Sequence, residues 1–182
     1  MESIKALQRR RFRSWILFSY ALTAAVLIAS AAFGYHASSA LEETAELGAI
    51  PFPDIYRNNV SMLGTNLLGA LLLGIPNLIS GVMNGYAMGS AAAISLRQFG
   101  GAWMARSFLP HGVLEIPVIL VSVSLGLLPW LLIAHRIRHP EESQKPMIAA
   151  AVKYLIVAGI ACAAILLPAA WIEANVSMSF IG

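Results

Sequence analysis

Charge is what this chain has least of. Lysine, arginine, aspartate and glutamate make up 12% of its 182 residues, against about 25% in an ordinary soluble domain. That shortage excludes a solvated surface over most of the chain. Cysteine is nearly absent too. A single Cys162 cannot form an intrachain disulfide, and its place inside an apolar run makes it an inert small hydrophobe. Histidine occurs four times, with no H-E-x-x-H spacing and no serine motif of the hydrolase type, so no catalytic residue, metal ligand set or cofactor is assigned. The net charge of +3 and pI near 9.3 do not point to nucleic acid. The basic residues lie beside apolar stretches, where they orient a membrane protein.

What is abundant is apolar length. The chain is 58% hydrophobic, with a mean hydropathy of +0.73, and five stretches approach or exceed the roughly 20 residues that cross a bilayer. The pattern predicts an all-α polytopic transmembrane bundle forming one integral domain over residues 1–182. Its crossings fall at about 14–34, 59–73, 78–96, 111–133 and 147–171. With the N-terminus inside and the C-terminus outside, the inner face holds Lys5, Arg9, Arg10, Arg11, Arg13, Arg136, Arg138, Lys145 and Lys153. The outer face holds Arg57, Arg97 and Arg106. Nine against three is the bias expected at a bacterial or archaeal cell membrane. A cleaved signal peptide is the competing reading of the first run, because Ala29-Ser30-Ala31 resembles a cleavage site. The polytopic remainder favours a retained crossing.

Between the runs, Ala37 to Leu47 reads as a short surface helix, and Pro51 and Pro53 are expected to hold the following chain extended. Gly74-Ile75-Pro76-Asn77 reads as a tight turn, or alternatively as the break of a discontinuous helix. In the third crossing Gly81, Gly85, Gly89 and Ala93 recur every four residues, the small-xxx-small pattern of close helix packing. The partner helix lies either in the same chain or in a second copy, and self-association as a dimer through this face is the expectation. Arg97 to Pro110 reads as an interfacial helix or a re-entrant piece.

The stretch Leu109-Pro110-His111-Gly112-Val113-Leu114-Glu115-Ile116-Pro117 carries the chemistry. From Leu109 to Ala134, His111 and Glu115 are the only side chains able to hold charge. At i and i+4 they share one face of a helix. Pro110 suits a first helical turn, and Pro117 frees the carbonyl of Val113. An intramembrane carboxylate is costly, so the pair is expected to face protein or a water-filled cavity and to hydrogen-bond Asn66, Asn84 or a freed carbonyl.

The order Asn66, Gly69, Gly74, Asn84-Gly85, Gly89, followed by Leu109-Pro110-His111-Gly112 and Glu115, resembles the stage II sporulation protein M family. The resemblance spans about residues 55–135, and Pro-His-Gly-x-x-Glu is its most specific piece. It implies a polytopic helical membrane protein without a known catalytic activity. In spore formers the named member anchors peptidoglycan-remodelling partners during engulfment, while relatives occur in organisms that make no spores. The expectation is therefore a non-catalytic scaffold in contact with membrane lipids and other envelope proteins. The alternative is a dimeric transporter or channel subunit with an intramembrane His–Glu site.

Overall fold

A computed structural model describes residues 4–41 and 50–177. Among them the chain is helical, with no strand. Helix α1 spans Ile4–Ser39, α2 Phe52–Gly69, α3 Ile75–Phe99, α4 Gly101–Ser124, α5 Leu128–Arg138 and α6 Lys145–Ile172. One 3-10 turn, Leu125–Leu127, joins α4 to α5, and a π-helical turn, Glu173–Ser177, extends α6. Among the described residues three runs are long and apolar enough to cross a membrane: Arg10–Ser39, Gly101–Arg138 and Lys145–Ser177.

Exposure is inverted relative to a soluble protein. Leu17, Phe18, Ile28, Phe33, Leu71, Ile137 and Ile160 are exposed, whereas Ser19, Thr23, Asn66, Asn77, Ser122 and His135 are buried. Hydrocarbon rewards this arrangement, because polar groups find no partner in lipid and must find one within the protein. The chain is a helical membrane protein.

Several boundaries differ from expectation, each for a local reason. Chain at Pro51 is extended, but Phe52 already opens α2 with Pro53 in its first turn, where a proline costs no hydrogen bond. The piece before Pro110 is neither a separate interfacial helix nor re-entrant. Gly100, at φ 79, ends α3, and α4 begins at Gly101, so Pro110 and Pro117 both lie inside α4. The surface helix expected over Ala37–Leu47 falls largely outside the described residues; its first residues form the last turn of α1.

The link between α2 and α3 is a tight reversal. Leu73 and Gly74 adopt φ of 53 and 73, and the Gly74 amide donates to the Gly69 carbonyl at 2.9 Å, a left-handed helix stop. A Cβ on Gly74 would strike the carbonyl of Gly126. The reversal is thus seated on the 3-10 turn, and Trp130 donates to the Leu73 carbonyl at 2.8 Å.

Helix α4 is the hub. Val118 packs with Leu63 of α2 and with Cys162 and Leu166 of α6, while the next residue, Ile119, packs with Leu27 of α1. Helices α1 and α3 lie parallel, the small residues of α3 against α1. A Cβ on Gly85 would fall on Ser30 Oγ, one on Gly89 on the Ala31 carbonyl, and one on Gly34 of α1 on the Tyr86 carbonyl. Ser38 and Ser90 hydrogen-bond further along the same seam. The small-residue face is therefore filled within the same chain, by α1 at Gly85 and Gly89 and mainly by Val123 of α4 at Gly81. A second copy has no access to it without displacing those helices, which corrects the expectation of self-association there.

Candidate functional site

The polar centre is built by the middle of α4 and the antiparallel end of α6, each supplying residues at i and i+4. On α4 these are His111 and Glu115, one above the other on one face. On the π-helical turn after α6 they are Glu173 and Ser177. Because the two segments run oppositely, His111 meets Ser177 and Glu115 meets Glu173. The His111 Nδ1–Ser177 Oγ distance is 2.9 Å, and one potential ligating atom from each of His111, Glu115 and Glu173 lies within 4.8 Å of the others. A third element completes the group: Asn59 of α2 donates its amide to Glu115 Oε1 at 2.7 Å. His111 is 9% exposed, and Phe108, one turn back, meets its ring edge to face. The π turn accommodates one extra residue per turn, a geometry that recurs where proteins place functional side chains.

The two asparagines expected beside this pair lie elsewhere. Asn66 donates to Ser122 Oγ at 3.0 Å, and Asn77 donates to the Asn66 carbonyl at 2.8 Å and to the Ser122 carbonyl at 3.0 Å. Together they form a second, fully buried knot joining α2, α3 and α4 at the reversal. Asn84 turns back on its own helix, donating to the Ser80 carbonyl at 2.7 Å. Asn66 is on the helix that carries Asn59, but two turns away. Asn84 is held by the Ser80 carbonyl one turn back on its own helix.

Glu173, Asn59 and Ser177 escaped the sequence reading. Glu173 follows an apolar run and looks like the start of a polar tail, and nothing local reveals that α6 continues past it. Asn59 had one available signal, its seven-residue separation from Asn66.

A different histidine group forms at the far end of the bundle. His135 is fully buried on α5, edge-on to Trp15 of α1. Its Nε2 lies 3.6 Å from Glu142, whose carboxylate also meets His139 at 3.6 Å and accepts from Arg11 at 2.9 Å. This carboxylate has its own cation, and the group clamps the start of α1 to the segment between α5 and α6.

Comparison with known proteins agrees with the motif. A family model described as Stage II sporulation protein M matches residues 14–178. An uncharacterised protein of Methanocaldococcus jannaschii is 25% identical over 128 residues, covering 69% of this chain and 70% of the relative. No solved structure matches.

Proposed function

The chain belongs to the Stage II sporulation protein M family, and from that premise we propose that it is a non-catalytic scaffold of the cell membrane that binds other envelope proteins. Five crossings with the N-terminus inside complete the reading. They are supported by the nine-to-three distribution of basic residues and by the reversal of direction at each link between α1, α2, α3, α4 and α6. Helices α2 and α3 lack the long apolar runs of the other three, and Asn59, Asn66 and Asn77 on them bond to neighbouring helices.

The observation that carries the reading is how the interior polar groups are used. Asn59 with Glu115, Asn66 with Ser122, Asn77 with both of those helices, and His111 with Ser177 each join one helix to another. A bundle tied in this way suits a rigid anchor better than a protein that must open and close around a solute. Partner capture from native membranes by in-membrane crosslinking tests it, with liposome flux measured in parallel. Specific envelope proteins crosslinked to a flux-free bundle support the scaffold. Flux that disappears in Glu115→Gln supports the transporter alternative and overturns the scaffold.

A further inference from the structure

Two carboxylates and an imidazole converge between the middle of α4 and the turn that extends α6. Among the described residues no ion pair joins Glu115 or Glu173 to a lysine or arginine. Glu142 makes the contrast: it also has histidines for neighbours, but Arg11 compensates it at 2.9 Å. Acids gathered in an apolar setting without compensation are costly. A bound cation removes that cost, provided the donors suit it and can reach it.

We propose that His111, Glu115 and Glu173 bind a divalent transition-metal cation of the zinc class, cross-linking α4 to the end of α6. The donor set selects the class. One imidazole nitrogen and two carboxylate oxygens suit zinc and its neighbours, whereas calcium and magnesium prefer oxygen donors alone, and calcium more of them. The reach is sufficient. Bonds of about 2.0–2.2 Å place tetrahedral donors roughly 3.4 Å apart, and the three ligating atoms already lie within 4.8 Å of one another. Rotation of two glutamate side chains closes the remainder without moving a helix.

The surroundings are those of a metal site. Ser177 engages His111 Nδ1, which orients the ring. Asn59 holds one oxygen of Glu115, leaving its other oxygen for the ion. Outer partners of this kind orient the ligands. Three protein donors leave a fourth position for water or a group from another molecule. The inference goes beyond the scaffold reading and does not depend on it, since binding is measured on the purified chain alone.

The experiment uses the full chain in detergent, purified without a histidine tag, stripped by chelator and titrated with Co²⁺, then with Zn²⁺ in competition. The expected result is one Co²⁺ per chain, with visible absorption of a four-coordinate nitrogen–oxygen site that Zn²⁺ displaces. Glu115→Gln, Glu173→Gln and His111→Asn should each weaken Zn²⁺ binding by about 100-fold or more, and Asn59→Ala by about tenfold. His36→Gln and His139→Gln should leave it unchanged. Binding that survives in Glu173→Gln, or that is lost equally in His139→Gln, overturns the proposal. If a ligand variant fails to fold, the wild-type spectrum decides: a stripped, folded chain that develops no such absorption with Co²⁺ overturns it as well.

Discussion

Asn59 of α2 donates to Glu115 of α4, and two helical turns further on Asn66 makes the equivalent bond to Ser122. Both pairs are separated by 56 residues in sequence, so α2 and α4 run in the same direction at a single register. Seven residues are close to two full helical turns, and the two bridges therefore rise from one face of each helix, about 10 Å apart along the axis. Leu63 of α2 is buried against Val118, Cys162 and Leu166, and these two bonds fix the rotation of the helix together with that apolar contact.

The buried knot at the reversal should matter more than its size suggests. Asn77→Ala removes two interhelical bonds, and a net cost of about 1–3 kcal/mol is expected from typical values of such bonds. Asn84→Ala removes a bond confined to its own helix and should cost less than about 0.5 kcal/mol, as for substitutions away from special features. Reversible unfolding in mixed detergent micelles measures both. Equal losses would show that Asn77 does not hold the helices together.

Glycine positions should divide by sign. A Cβ on Gly89 meets the α1 backbone at Ala31, so Gly89→Ala is expected to cost about 1–3 kcal/mol by overpacking. A Cβ on Gly64 of α2 meets nothing within 4 Å, so Gly64→Ala should stabilise the helix by roughly 0.5–1 kcal/mol. The same unfolding assay resolves the two, and a stabilising Gly89→Ala would contradict the α1–α3 contact.

At the polar centre, charge and shape separate cleanly in the metal-free chain. Glu115→Gln retains an oxygen for the Asn59 amide and should change stability by less than about 0.5 kcal/mol. Glu115→Ala leaves that half-buried amide without its acceptor, at an expected cost of about 1–2 kcal/mol. Thermal unfolding in detergent after chelation distinguishes them. A glutamine variant as unstable as the alanine variant would mean the charge itself holds the bundle.

Cys162 is 3% exposed, and a buried thiol of this kind is inert. The native chain should therefore stay unlabelled by a membrane-impermeant maleimide. Single cysteines introduced by Ser39→Cys and Glu141→Cys then report orientation. Labelling of the first from outside the cell and of the second only after permeabilisation is expected; the reverse pattern would invert the topology.

The helices were legible in sequence because hydrocarbon imposes long apolar runs, and the small-residue spacing revealed a packing face. Which helix fills that face was not legible, since four-residue spacing is the same for a neighbour in the chain and for a second copy. The Leu109–Pro117 stretch revealed His111 and Glu115 through the rarity of such groups in an apolar segment. Their partners were hidden for opposite reasons. Glu173 lies in a segment whose polarity mimics a loose tail, and Asn59 lies next to Arg57 and Asn58, where one more polar residue attracts no notice. Prolines misled most: Pro53 starts a helix and Pro110 is tolerated inside one, because sequence does not show how many turns precede a proline.

The parallel seam of α1 and α3 also bears on how the chain is made. Helix α1 is made before α3, but the surface it needs lies on α3 and appears only after α2 and the Leu73–Gly74 reversal have been synthesised. Helix α2 waits longer, because Leu63 packs against residues of α6, which is synthesised after α4 and α5. No helix up to α3 finds its main neighbour in the segment just before it. Pairing of each helix with the one just before it therefore does not build the bundle, and α1 must stay in the membrane without its main neighbour until α3 arrives.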